Sequence, residues 1–251
     1  MTTETTVRFA ERAPALLGQT VIVIGGSAGI GLETARLARA EGADVIITGR
    51  NPDRLRKAAD EVGAASTAAF DATDRDALAR FFAEGPAQFD HVMLSGSGPY
   101  YAPLQEADLA QVEQDVQRHL LLPAQVGLHA IGRVRPGGSL VFISGTGGRR
   151  AGVGLAFIGA ITAATPALVR NLAVELAPIR VNLLAPGFVD TALSASLLGD
   201  GLEARRAELR ATLPIGRVVG PQDVAALAVH LMTNTALTGA TYDVDGGQQL
   251  V

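Results

Sequence analysis

Between Thr20 and Arg50 the chain is confined to one kind of supersecondary unit. Thr20-Val21-Ile22-Val23-Ile24 is a short, uncharged, β-branched run, as expected of a strand buried on both faces. Gly25-Gly26-Ser27-Ala28-Gly29-Ile30-Gly31 follows with no spacer. A helical period starts inside that turn, with Ile30, Thr34, Leu37 and Ala38 on one face and Glu33, Arg36 and Arg39 on the other. Gly42 ends the helix, and Asp44-Val45-Ile46-Ile47-Thr48 predicts a second buried strand. Strand, glycine turn, helix and strand form the opening βαβ unit of a dinucleotide-binding fold.

The turn has specific physics. Gly25 lets the chain leave the strand tightly, while Gly29 and Gly31 remove side chains where backbone must approach a pyrophosphate and helix must pack on sheet. The helix start then offers free N–H groups and a positive dipole end to phosphate. A bare glycine motif is weak evidence, but this one stands between a buried strand and a helix. A purely structural turn is the plainer alternative. A second rival is the nucleophile elbow G-x-S-x-G, which Gly25 to Gly29 also fits, with Asp190 or Asp223 and then His230 in the order it requires. Against it, the elbow would fall on the first strand, and His230 sits within a helical pattern from Val224 to Met232.

Composition narrows the classes. The chain has 251 residues, enough for one large α/β domain, and its apolar content of 48% with 29 glycines suits a parallel sheet covered on both faces. A formal charge of -4 gives no basic footprint for nucleic acid or an anionic membrane. The absence of cysteine excludes disulfides and a thiol nucleophile, and no metal-ligand cluster stands out. Met1 to Arg12 is polar and reads as a loose tail in a cytoplasmic protein. Ala151 to Val169 is uncharged and nearly long enough to span a membrane, but its glycines and proline between two strands predict a buried helix instead, at a subunit interface.

Further along, helices are predicted over Asp53–Val62 and Asp74–Glu84, the latter capped by Asp74, with strands over Ala65–Phe70 and Phe89–Leu94. The loop Ser95-Gly96-Ser97-Gly98-Pro99-Tyr100-Tyr101 then leads to one long helix, about Asp108 to Arg133. Strands Ser139–Ser144 and Ile179–Leu184 flank the uncharged helix. An insert over Ala185 to Gly220, with its pocket-shaping part near 188–213, precedes a helix at Gln222–Thr233 and a strand at Thr241–Val244. The expected architecture is α/β, a single-domain Rossmann fold over 13–251 with a doubly wound parallel sheet of about seven strands. At the position about 20 residues past the glycine turn, an acid would bind a ribose 2′-hydroxyl and an arginine a 2′-phosphate. Gly49 and Arg50 stand there, which favours NADP(H) over NAD(H).

Several later motifs come in a characteristic order: Asp71 at a strand end, Asn171-Leu172-Ala173-Val174-Glu175-Leu176-Ala177, Ile179-Arg180-Val181-Asn182, Ala185-Pro186-Gly187, Pro214-Ile215-Gly216-Arg217 and Asp243-Val244-Asp245-Gly246-Gly247. With the glycine turn they make the chain, from about Leu17 onward, resemble the short-chain dehydrogenase/reductase family. The resemblance implies that Gly25, Ser27, Ala28, Gly29, Ile30 and Gly31 hold the phosphates and that Asp71 and Ala72 meet the adenine. It places Ser95 and Gly96 at the adenosine ribose, and Pro186, Gly187, Val189 and Thr191 on the nicotinamide side. It also implies a homodimer or homotetramer acting on a small molecule.

The family's catalytic positions are filled differently. Where relatives carry tyrosine as general acid and lysine to lower its pKa, this chain has Ile158 and Thr162; the serine position falls on Gly145 and the asparagine on Gln117. Isoleucine donates no proton and threonine carries no charge. Ser144, Thr146, Tyr100, Tyr101 and Gln117 are the remaining candidates for contact with substrate, and Arg149 and Arg150 for an anionic group. His91, His119 and His129 read as structural. Thr165-Pro166 predicts a break or restart of the helix. The expected activity is an NADP(H)-dependent oxidoreductase with a non-standard site, acting for example on an iminium ion, which needs no enzymic proton at the reacting atom. The alternatives are an inactive cofactor-binding sensor or scaffold, and the fold reused for non-redox chemistry.

Overall fold

The computed structural model describes residues 13–96 and 98–251, so the tail expected over 1–12 lies outside the described residues. The strands are β1 (Thr20–Ile24), β2 (Asp44–Gly49), β3 (Ser66–Ala69), β4 (Phe89–Leu94), β5 (Val134–Ile143), β6 (Arg180–Pro186) and β7 (Thr241–Val244). They form a single parallel sheet in the order β3-β2-β1-β4-β5-β6-β7. The order reverses between β1 and β4, which opens a crevice at their C-terminal ends.

Helices cover both faces. On one side α1 (Gly29–Ala40), α2 (Pro52–Val62) and α9 (Pro221–Thr233) bury Ala35, Ala38, Leu55, Val224 and Met232 against Val21, Val23 and Ile47. On the other, α3 (Arg75–Glu84), α5 (Leu122–Ala130) and α6 (Ala156–Glu175) bury Leu78, Phe82, Val126 and Val169 against Ile22, Val92 and Phe142. Alternate residues of one strand thus serve opposite layers, which is why these strands are apolar throughout rather than alternating. Asp74 caps α3 as expected, accepting the backbone N–H groups of Asp76 and Ala77. The insert folds as α7 (Ala192–Leu198) and α8 (Leu202–Thr212).

Two helical expectations need correction. The long helix is not continuous: α4 (Leu109–Val116) passes into a π-helical turn at Gln117–Leu121 before α5. Pro123 has no N–H for the carbonyl of His119 and its ring crowds that carbonyl, so the chain widens by one residue there. Conversely, α6 runs unbroken through Pro166. Pro166 forfeits one backbone bond, but Ile161, Thr165, Val169 and Ala173 are buried on either side, and the Thr165 hydroxyl donates to the Ile161 carbonyl at 2.8 Å. Helix α6 is also the one helix among the described residues long and apolar enough to cross a membrane. Here its inner face packs on the sheet, and Ala160, Ala163, Ala164 and Ala167 form an exposed outer face.

At the other end of the sheet two polar groups are locked into the core. Arg180 begins β6 at 6% exposure, and its guanidinium donates to the carbonyls of Leu231 (2.6 Å), Met232 (2.6 Å), Asn234 (3.1 Å), Leu237 (3.3 Å) and Gly137 (3.2 Å). His91 in β4 is 2% exposed, its Nδ1 2.9 Å from the Ser139 hydroxyl and its Nε2 2.7 Å from Gln19 Oε1. Burial, with the Arg180 charge adding to it, pushes the His91 pKa from 6.5 down to about 4. A depressed histidine leaves the unfolded chain binding more protons between those two values, so stability falls as pH drops through that window. The full loss is roughly 3 kcal/mol. Chemical denaturation at pH 7 and pH 4.5 should show a smaller pH-dependent loss for His91→Gln than for the native protein; equal losses would remove His91 as the cause.

Candidate active site

The crevice holds two joined cavities. The smaller, about 440 Å³, is lined by Gly25, Ser27, Ala28, Gly29, Ile30, Arg50, Asp71, Ala72, Ser95, Gly96 and Thr191. The larger, about 670 Å³, shares Ile30, Ser95, Gly96 and Thr191 and adds Ser144, Gly145, Thr146, Ile158, Thr162, Pro186, Gly187 and Val189. The residues assigned to a dinucleotide therefore converge along one groove, with the exception of Gly31. That glycine lies beneath the turn, where a Cβ would stand 2.3 Å from the Gly25 carbonyl oxygen.

The smaller cavity has the chemistry of a phosphate and adenosine seat. Ala28, the N-cap of helix α1, supplies no capping side chain and the first turn holds no acid, so the N–H groups there are left for a ligand. Gly25 has φ +84, and a Cβ on it would meet the Ser95 carbonyl oxygen at 2.1 Å. At the end of β2, a Cβ on Gly49 would be 2.8 Å from Ser27 Oγ, so the side-chain slot where an acid would otherwise face a ribose is filled by Ser27. Arg50 makes no hydrogen bond or ion pair among the described residues and lines the cavity beside Arg54. Partial burial opposes ionisation of Asp71, but the Thr73 N–H and O–H groups, at 2.9 and 2.7 Å, hold its pKa low, helped by the Arg50 and Arg118 charges. These residues fit a dinucleotide.

The larger cavity is mainly apolar, with Tyr101, Leu155, Phe188, Leu193 and Leu197 on its walls. Its polar candidates differ in availability. The Tyr100 hydroxyl accepts the Asp108 N–H at 3.0 Å, just before α4, which makes Tyr100 a fixed piece of wall. Tyr101 keeps 55% of its surface exposed; burial of the rest and the nearby Asp115 carboxylate push its pKa up, so it stays a phenol. Ser144 Oγ is sealed and unpartnered at the end of β5. Thr146 donates its backbone N–H to the Pro186 carbonyl at 3.3 Å. The Thr162 hydroxyl is spent on the carbonyls of Ile158 (2.8 Å) and Gly159 (3.1 Å).

Three candidates raised by the sequence find no place in this geometry. Gln117 lines neither cavity: the π turn brings Arg118 to the smaller one and His119 to the larger instead. Arg149 and Arg150 reach the larger cavity but are not free for an anion. Arg149 pairs with Asp243 at 2.8 Å, and Arg150 donates to the backbone oxygens of Gln249 and Val251. The nucleophile-elbow alternative also dissolves. Asp190 pairs with Arg206 and Asp223 with Arg217, while exposed His230 contacts Asn234 just past the end of its own helix. His119, read as structural, lines the larger cavity one turn after Asp115, whose charge opposes the lowering of its pKa by burial.

A family model described as enoyl-(acyl carrier protein) reductase matches residues 25–249. The chain is 33% identical over 97% of its length to 98% of a cis-4-hydroxycyclohexanecarboxylate dehydrogenase from Sinomonas cyclohexanicum. It is 30% identical over 93% of its length to 98% of a short-chain dehydrogenase/reductase from Stachybotrys chlorohalonatus. The chain belongs to the short-chain dehydrogenase/reductase family. Among solved structures, a reductase/Diels-Alderase from Malbranchea aurantiaca superposes with a TM-score of 0.88 at 26% identity, over 95% of this chain and 99% of that one. A small-chain dehydrogenase in complex with NADPH superposes with a TM-score of 0.79 at 27% identity, over 93% of this chain and 99% of that one. The family is one of oxidoreductases built on a nicotinamide-dinucleotide-binding fold.

Proposed function

We propose that this protein is an NADP(H)-dependent oxidoreductase acting on an apolar small molecule through a non-standard site. The observation that carries the cofactor preference is the pairing of Gly49, whose side-chain slot is filled by Ser27, with an unpaired Arg50 beside the same cavity. Solved relatives in complex with NADPH support it.

When bound, the cofactor supplies or takes a hydride. The chain's share is alignment and exclusion of water by the apolar walls around Ile158, Phe188 and Leu197. The wall formed by Gly145, Ile158 and Thr162 offers no acid, which suits an electrophile that is already cationic, such as an iminium ion. The exposed outer face of α6 supports assembly as a homodimer or homotetramer. A binder without turnover is the second reading, favoured by the same lack of an acid and by 30% identity to a cyclic-di-GMP-binding biofilm dispersal mediator protein from Escherichia coli.

Arg50→Ala tests the cofactor assignment. Losing a charge-assisted contact of about 1.5–3 kcal/mol should weaken NADPH binding roughly 10- to 100-fold and leave NADH binding nearly unchanged. Equal weakening of both, measured by calorimetric titration, would contradict the 2′-phosphate role. Loss of NADPH absorbance on adding N-methyl-3,4-dihydroisoquinolinium, an iminium that needs only hydride, separates the oxidoreductase from the binder.

A further inference from the structure

The larger cavity has a second wall, contributed by the π-helical turn. His119 lies there at 9% exposure, together with Tyr100 and Tyr101; the turn packs against α6, whose Ile158 and Thr162 line the same cavity. Neither ring nitrogen has a hydrogen-bond partner; Nε2 is sealed, and Nδ1 is not. A buried polar group left unpaired costs about 1–3 kcal/mol, and native proteins keep few of them without a reason. Ser144 Oγ on the same cavity is sealed and unpaired too.

The charges around the imidazole are arranged for a base. Asp115, one turn earlier, is 1% exposed and fixed by the Tyr100 N–H at 2.8 Å and by Arg118 at 3.5 Å. Burial lowers the His119 pKa, Arg118 adds to this and Asp115 opposes it, so the ring is neutral at physiological pH with a lone pair to offer. Once protonated, the ring would lie near a buried carboxylate. The cavity's arginines do not compete: Arg149 and Arg150 are paired as above and Arg205 is paired with Glu208 at 2.7 Å.

We propose that His119 exchanges a proton with the substrate oxygen through Nδ1, and that the substrates using it are secondary alcohols and ketones on apolar skeletons. In the oxidising direction the alcohol O–H bond breaks and its proton passes to Nδ1. The carbinol C–H bond breaks with its electron pair, which leaves as hydride to the nicotinamide ring of NADP⁺; the products are ketone, NADPH and an imidazolium that returns its proton to water. Reduction is the reverse. The proposal rests on the cofactor reading above, and iminium reduction lies outside it because no proton is exchanged there.

The test uses the full chain with 1-tetralol and NADP⁺ in one arm and N-methyl-3,4-dihydroisoquinolinium and NADPH in the other. The native protein is expected to oxidise 1-tetralol, and His119→Gln to lower kcat/KM for it at least 100-fold, while iminium reduction and the melting shift with NADPH stay within threefold of native. A readout independent of turnover is ¹⁵N-histidine NMR of the native protein. Adding 1-tetralone should move the His119 imidazole resonance and leave that of His91 in place. Tetralol oxidation that survives in His119→Gln, a native protein that reduces the iminium but oxidises no tetralol, or an unmoved His119 resonance would each overturn the assignment. If the variant unfolds, the native NMR arm decides alone, with assignment through His91, His129 and His230 variants. A native protein that shows no melting shift with NADPH removes the cofactor reading, and this proposal with it.

Discussion

Replacing Arg180 with alanine is expected to destabilise the protein by about 3–5 kcal/mol, as two or more buried carbonyls are left unpaired at about 1–3 kcal/mol each. The guanidinium collects five carbonyls, three of them (Leu231, Met232 and Asn234) at the end of α9 or just beyond it. Helix C-terminal carbonyls have no partner within the helix and carry the negative end of its dipole, so a cation there is doubly favoured. Alanine leaves those carbonyls buried and unpaired. At about 2–4 °C per kcal/mol for a chain of this size, the melting temperature should fall by about 6–20 °C. Arg180→Lys should recover only part of this, because an ammonium has three donors and no planar fork. A melting temperature within 2 °C of native for the alanine variant would show that the carbonyls find water instead.

The second large effect is expected at Gly31. A methyl group there would stand 2.3 Å from the Gly25 carbonyl oxygen and 3.1 Å from Ser95 Cβ, and both neighbours belong to the dinucleotide seat. Neither can yield without moving the turn, so Gly31→Ala should weaken NADPH and NADH alike by at least about 100-fold, or roughly 3 kcal/mol. Gly29 is the control. A Cβ there meets Thr191 Cγ2 at an ordinary 3.6 Å, and the strain of its φ of +54 is about 1–2 kcal/mol for any other residue. Titrations of the two variants should therefore rank Gly31→Ala as the more damaging. The reverse order would mean that backbone conformation, not close packing, governs the seat.

Most of the scaffold was legible because its determinants are local. Buried strands such as Val21–Ile24, the turn Gly25–Gly31 and caps such as Asp74 each act within a few residues, and alternation of strand and helix then dictates a parallel sheet. Pro166 and Pro123 show where locality ends. The same residue type is absorbed in α6, where Val169 and Ala173 pack on both sides of the core contact, yet at Pro123 it coincides with a π turn. Propensity alone cannot separate these outcomes, because tertiary packing decides them.

The candidate site was legible in its phosphate half, which is made of consecutive residues and backbone. The reaction half depends on side chains remote in sequence. Arg149 is engaged by Asp243 and Arg150 by Gln249, pairings that only the folded chain reveals. The π turn puts His119 on the cavity wall in place of Gln117, a two-position change that no regular helical periodicity anticipates.

The central claim is that the amino end of α1 seats a dinucleotide whose 2′-phosphate meets Arg50. Titrating the unmodified protein with NADPH and with NADH by calorimetry tests it most directly. Saturable binding of one NADPH per chain, at least about tenfold tighter than NADH, is the predicted result, that ratio corresponding to roughly 1.4 kcal/mol. Tighter binding of NADH, or no saturable binding of either, would contradict the account.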